Sequence, residues 1–125
     1  GIDKLTTTGH SHIWEVSRGS VTEHDLDPAD LGIARADIQS LLGADPAHNA
    51  SVARAVLAGE SGPVRDIVLL NAAAGLVAFA LSKHPEQLHE PILARLGAQF
   101  ERAGAVIDSG DAAAKLEQWA SATQR

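Results

Sequence analysis

One stretch of the chain is apolar enough to set the frame for the rest. From Pro63 to Leu81 (PVRDIVLLNAAAGLVAFAL) there is no charge after Asp66 until Lys83, and apolar residues fall on every side of a helical wheel. Such a helix is either buried in a core or crosses a membrane. Crossing takes about 20 apolar residues, and this run is shorter and interrupted by Asn71 and Gly75. The pattern therefore predicts a buried central helix. Gly62-Pro63 places proline at its first turn, where a missing N–H costs nothing. Pro85 biases the residue before it away from helix, so the helix should stop near Ser82–His84. Asn71 is expensive to bury without partners and is expected to bond to neighbouring backbone.

Upstream the periodicity is shorter. Residues 1–9 (GIDKLTTTG) read as an extended loop with a Thr cluster and bounding glycines. His12–Ser17 and Ser20–Asp25 carry the β-preferring residues Ile13, Trp14, Val16, Val21 and Thr22. Arg18-Gly19 between them suits a two-residue type I′ hairpin turn. From Asp27 the pattern turns helical. Ile33–Leu42 predicts a short helix with Ile38, Leu41 and Leu42 inward, ended by Gly43. Asp45-Pro46 is an acidic N-cap followed by proline. It opens a helix over Ala47–Ala58 that buries Val52, Val56 and Leu57, and Gly59 caps its end. After the central helix, Ile92, Leu96, Phe100, Ala103 and Ile107 recur at helical spacing, with Gly97 and Gly104 placed to let another helix approach. Ser109 or Asp111 caps a last helix, Ala112–Thr123, with Leu116, Trp119 and Ala120 inward. A hairpin followed by four or five helices is an α/β order with too few strands for its helices. Two strands alone are marginal in water. A larger sheet is expected to continue outside these residues, and the lack of any methionine, even at position 1, likewise points to a portion of something longer.

Composition narrows the function. The 125 residues suit one domain, divided here into a loop-and-hairpin segment (1–27) and a helical segment (28–125). Hydrophobic residues make up 45% but aromatics only 3%, so the core must be Leu, Val, Ile and Ala in closely packed helices. The net charge of −6, with ten scattered Lys and Arg, offers no basic stripe for a phosphate backbone, which argues against a nucleic-acid partner. No cysteine is present, which removes disulfide and thiolate chemistry. With no leader-like start and no expected membrane span, a soluble, cytoplasmic protein is expected.

Candidate chemistry is sparse. His10 and His12 stand two apart beside a strand, with His24 on its partner, and three imidazoles can bind zinc. No carboxylate at metal-ligand spacing completes that set, so ordinary surface histidines are the better reading. His84 and His89 flank a proline loop and should be solvated. Asp108-Ser109-Gly110-Asp111 lacks the acid pattern of a calcium loop and reads as a helix cap. Residues 43–46 could hold an anion at a helix N-terminus, but Asp45 already occupies the cap. There is no nucleophile–base arrangement, P-loop or dinucleotide fingerprint. Asp3 remains, a carboxylate in a glycine-bounded loop that could join Mg²⁺ beside substrate phosphates.

The order of segments resembles a known family. GIDKLTTTG before HIWEV, then LDPADLGIARA, LLGADPAHNA, VLAGESGPVRDIVLLNAAAGLVA and IDSGDAAAKLEQW, together resemble the C-terminal part of anthranilate phosphoribosyltransferase over nearly the whole chain. The resemblance implies the C-terminal part of a nucleoside phosphorylase/phosphoribosyltransferase-type α/β domain, with the sheet incomplete here. It implies transfer of a phosphoribosyl group from phosphoribosyl pyrophosphate to anthranilate in tryptophan biosynthesis, with Mg²⁺ as cofactor and a homodimer as the intact enzyme. It further implies that an Asp-Glu pair binds the metal. Asp3 matches the aspartate, and Lys4 stands where the glutamate is expected. The family's glycine-rich diphosphate loop, Lys-His-Gly-Asn segment and anthranilate-contacting arginine match nothing in these residues, so the chain alone should not turn over. Two alternatives stand beside this: a same-fold transferase or phosphorylase with another acceptor, and a non-catalytic helical interaction module.

Overall fold

The chain turns sharply at Arg18-Gly19, where both residues have positive φ, 49° and 78°. That is the type I′ signature, whose twist matches paired strands. It joins β1 (Ser11–Ser17) to β2 (Ser20–Leu26), antiparallel with Val16 opposite Val21 and Ser11 opposite Leu26. In this computed structural model, which describes residues 3–124, these two strands form the whole sheet among the described residues. Gly1 and Ile2, the first positions of the expected N-terminal loop, lie outside the described residues. The hairpin is followed by four α-helices: α1 (Pro46–Leu57), α2 (Pro63–Lys83), α3 (Ile92–Asp108) and α4 (Asp111–Thr123).

The helix boundaries follow the expected signals. Asp45 caps α1 by accepting the His48 N–H at 2.8 Å, and Gly59 ends it at φ 95°. Pro63 opens α2, and His84, ahead of Pro85, closes it. The α4 start differs in detail. Gly110, at φ 84°, occupies the N-cap position without a side-chain bond, and Ser109 Oγ accepts the Asp111 N–H at 3.3 Å.

The region 33–42 is not a helix. Short 3₁₀ turns at Pro28–Leu31 and Ile38–Leu41 flank an extended stretch. Asp27 and Asp37 cap these turns, and Gly32 at φ 73° stops the first. The Ala36 N–H, which a helix would have kept local, instead donates to the Thr7 carbonyl at 2.9 Å. Ile38 and Leu42, expected inward, are exposed, as is Trp119 on α4. The terminal helix packs against α1 and α3 and leaves its Trp119 face to solvent.

The central helix is only half enclosed. Leu69, Leu70, Ala73 and Val77 are buried, whereas Val68, Ala72, Gly75 and Phe79 are not. The expected burial on every side is therefore corrected to burial on one side. Periodicity records how apolar a helix is, but the number of neighbours decides how much of it is covered. At 21 residues α2 is also long enough to span a membrane by length and composition, longer than the sequence reading allowed. It is instead the inner layer between two apolar clusters. Leu70 and Val77 meet Leu26, Ile33 and Leu96 in one, and Leu69 meets Val56, Ala103 and Ile107 in the other. The α2–α3 approach is close at Gly104, where an added Cβ would sit 3.8 Å from Arg65 Nη2 and 3.9 Å from Leu69 Cδ1.

One charged pair locks the hairpin onto this layer. Arg95, on the buried face of α3 beside Leu96, donates from Nη1 and Nη2 to Glu15 Oε1 and Oε2 at 2.6 and 2.9 Å. Its Nε donates to the Glu90 carbonyl at 3.0 Å, and His24 Nε2 lies 3.2 Å from Glu15 Oε2. Both side chains of the pair are nearly sealed from solvent, at 5% and 9% exposure. The Arg95 hydrogen bonds are the main cause holding the Glu15 carboxyl below its usual value, with Arg95 and His24 charges adding and burial opposing. Because the folded value is the lower one, the stabilisation is complete above the unfolded value of about 4.3 and is lost as pH falls through the folded one. Arg95→Met leaves the buried Glu15 carboxylate with His24 as its remaining side-chain partner. It should lower unfolding stability by about 3–5 kcal/mol at pH 7, measured by urea denaturation, with a smaller loss at pH 3, where Glu15 can take up a proton.

Candidate functional site

The loop before β1 is built by its own hydroxyls and by contacts reaching far along the chain. Thr8 donates its N–H to Thr6 Oγ1 at 3.0 Å, and the two hydroxyls lie 2.8 Å apart. The Thr6 N–H donates to Ser11 Oγ at 3.0 Å. Thr7 is fully buried. The Leu5 side chain joins the cluster around Leu70, while its peptide meets Asn71. Asn71 Oδ1 accepts the Leu5 N–H at 3.0 Å, and Nδ2 donates to the Leu5 and Ile67 carbonyls, both at 2.9 Å. The mid-helix amide thus bonds to backbone, as its position required, with its partner 66 residues upstream.

Asp3 and Lys4 stand at the mouth of this loop, in an open cleft of about 620 Å³ shared with Thr6, His10, Ser11 and Asn71. The Lys4 ammonium donates to Asp3 Oδ1, and the two side chains are exposed, at 54% and 87%. That hydrogen bond and the lysine's charge hold the Asp3 carboxyl below the usual aspartate value. The mouth therefore offers one carboxylate, one ammonium and flanking hydroxyls. Its Ser and Thr hydroxyls bond to backbone and to each other.

The other candidates resolve into structural roles. His10 sits between Asp25 and Asp27, at 2.9 and 3.3 Å. Arg35 bonds the same Asp27 oxygen at 3.0 Å. The Asp27 carboxyl is held low chiefly by the Ala29 N–H, then by Arg35 and His10 against burial. His12 turns outward to Glu23 at 3.3 Å, and His24 turns inward to Glu15. The three imidazoles each face a carboxylate and do not converge, and the described residues contain no group of three or more metal-ligating side chains. Asp108 pairs with Arg65 at 2.8 Å. His84 and His89 are exposed.

Mg²⁺ fits this site in a limited way. One exposed carboxylate is enough when phosphate oxygens and water complete the shell, but not for a cage made by protein alone. Asp3 would be the ligand, and Lys4 would have to release it or turn to the phosphates.

A family described as glycosyl transferase family, a/b domain, matches residues 1–113. The chain belongs to this family. Curated relatives include the anthranilate phosphoribosyltransferase of Leifsonia xyli subsp. xyli, 61% identical over 99% of this chain. That of Clavibacter sepedonicus is 64% identical over the same share. The chain spans about a third of their lengths, 36% and 35%. The crystal structure of anthranilate phosphoribosyltransferase from Thermus thermophilus superposes with a TM-score of 0.74 at 34% identity, over 95% of this chain and 32% of that one. The family's α/β fold, of which these residues hold a small open hairpin and the following helices, agrees with the sequence expectation.

Two features of the site had no clear signal in the sequence. The clamp on Leu5 could be foreseen only as a need of Asn71, not as a particular partner. Arg95 lies on the Ile92–Leu96 face, and a charge on an apolar stripe was the available sign of its buried partner. If Lys4 controls the Asp3 carboxylate, Lys4→Ala should move the Asp3 titration midpoint upward, followed by carboxyl chemical shifts between pH 2 and 6.

Proposed function

We propose that the intact protein transfers the phosphoribosyl group of phosphoribosyl pyrophosphate to the amine of anthranilate, in tryptophan biosynthesis, and that this chain contributes the Asp3–Lys4 loop to diphosphate binding. The observation that carries this reading is collinear similarity over 99% of the chain to relatives bearing that activity as their name. In the reaction the amine nitrogen bonds to the ribosyl anomeric carbon as its bond to the diphosphate oxygen breaks. Diphosphate departs with that electron pair, and the amine loses a proton. The nucleophile is already competent, so the protein's task is to stabilise separating charge by electrostatics. Bound Mg²⁺ would supply Lewis-acid neutralisation of the diphosphate. Asp3 would hold the metal side of that complex, and the Lys4 ammonium would face the phosphate oxygens.

Lys4 separates this chain from the Asp-Glu pattern of the family it resembles. A unit charge about 4 Å away in water contributes about 1 kcal/mol, and Lys4→Glu reverses two units. Mg²⁺ half-saturation should therefore fall at least about fivefold in Lys4→Glu, read by titrating Mg²⁺ against pyrophosphate binding. The activity is tested by anthranilate fluorescence with phosphoribosyl pyrophosphate and Mg²⁺. No consumption is expected with this chain alone, and consumption is expected once it is joined to the remaining length of its gene product. A folded joined protein that leaves anthranilate untouched would overturn the assignment, as would turnover that prefers another acceptor.

A further inference from the structure

We propose that Asn71 is a positioning residue for the Asp3–Lys4 mouth: its amide clamps the Leu5 peptide and so decides where the Asp3 carboxylate and Lys4 ammonium present themselves to a phosphate-bound metal. This rests on the metal reading of Asp3 above and adds to it the part of the fold that makes the site.

The clamp is specific in its atoms. An amide has one acceptor oxygen and two donor hydrogens, and a peptide offers the complementary pair. Asn71 Oδ1 meets the Leu5 N–H, and Nδ2 meets the Leu5 carbonyl. The second Nδ2 hydrogen goes to the Ile67 carbonyl, one turn back along α2. Three bonds therefore fix both the amide's flip and its tilt. A reversed amide would set donor against donor at Leu5.

The clamp is also fixed in space. Asn71 follows Leu70 and precedes Ala73 by two residues, and both of these are 0% exposed. Thus the amide is held by the most enclosed turn of the molecule. Ala72, Ala73 and Ala74 follow it in sequence, and alanine is the better helix former. Asparagine here costs helix propensity and offsets that cost through its bonds to the Leu5 peptide and the Ile67 carbonyl.

Among the described residues, no other side chain holds the mouth in this way. Downstream, the loop is tied by the Thr6 N–H to Ser11 Oγ and by the Thr7 carbonyl to the Ala36 N–H. Upstream of Leu5, the side-chain bonds among the described residues are those of Lys4 and Asp3 with each other. Asp3 lies two residues from the clamped peptide, a reach of about 7 Å along extended chain. Without the clamp, Leu5 keeps its side-chain packing in the cluster around Leu70, but the orientation of its peptide, from which Asp3 and Lys4 extend, is no longer fixed. Asn71 borders the same cleft, so the clamp and the carboxylate face one space.

The test uses the full-length protein that contains this chain, with Mn²⁺ and inorganic pyrophosphate as probe, in wild type, Asn71→Ala, Asn71→Leu and Asp3→Asn. Alanine raises the helix propensity of α2, and leucine keeps the half-buried volume filled. Two readouts are taken: hydrogen exchange at Leu5 against α2 amides 69–73, and paramagnetic broadening of Asp3 and Lys4 signals. In both Asn71 variants the Leu5 amide should exchange about fivefold faster or more, with the α2 amides unchanged. The Mn²⁺–pyrophosphate affinity at Asp3 should fall by about tenfold, the scale of losing an outer-shell support. If Leu5 is released while affinity and broadening persist, the positioning role is wrong and the metal site stands. If wild type shows no broadening at Asp3, or Asp3→Asn leaves binding unchanged, the metal reading falls and this proposal falls with it. Loss of protection along α2 in both Asn71 variants would make Asn71 a stability residue and also overturn the proposal.

Discussion

Burial of one face of α2 against α3 is the constraint on which the other contacts depend. Leu70 is fully enclosed and Leu96 nearly so, and truncating a leucine in such a place costs roughly 2–5 kcal/mol. The adjacent Leu69 and Leu70 point into different clusters, so the same helix organises the hairpin side and the α1 side. Gly104 brings the two helices together without a side chain between them. Shifting α2 along α3 would displace both clusters at once.

A two-stranded sheet cannot hold its own place, and the hairpin's apolar contribution to the core is modest. Its outer face keeps Trp14, Val16 and Val21 largely exposed, while Ile13 and Leu26 turn inward. Polar anchors make up the difference, and they act because they lie where water is scarce. The Arg95 fork fixes the centre of β1 to α3, and the Asn71 amide fixes the loop before β1 to α2. Each is expensive if half made, since an unpaired buried group keeps its desolvation cost and loses its partner. The hairpin is consequently held in one register and at one height against the helices. The loop inherits that precision.

Local chemistry was legible in the sequence wherever it was sufficient to decide the structure. Arg18-Gly19 fixes the turn, Asp45-Pro46 starts α1, Gly59 ends it, and the spacing of Ile92, Leu96, Ala103 and Ile107 marks the inner side of α3. The misread elements are those decided by partners far away in the chain. Residues 33–42 carry enough apolar spacing for a helix, yet the Ala36 N–H has a better acceptor in Thr7. Trp119 was expected inward with Leu116 and Ala120, but α4 presents its indole to solvent. The apolar surface of α2 was read correctly as composition and wrongly as burial. Asp3 stood out weakly as a carboxylate in a glycine-bounded loop, and family resemblance added the rest, because an exposed aspartate in a loop has little physical mark of its own.

The position of the candidate site follows from this division of labour. A residue that must touch metal and phosphate has to be exposed, and an exposed residue on a loop is poorly placed unless something rigid holds the loop. Here the rigidity comes from a helix whose apolar residues have no chemistry to offer. Asn71 is the point at which the two requirements meet: it is polar enough to grip a peptide, and it follows the fully enclosed Leu70 on α2. Lys4 modifies the result locally by taking the Asp3 carboxylate as its own partner. A cation arriving alone must displace that ammonium, whereas one arriving on diphosphate brings the anion that Lys4 can accept in exchange. If Asp3 holds the metal as proposed, the mouth would be biased, by charge alone, toward a metal already bound to phosphate.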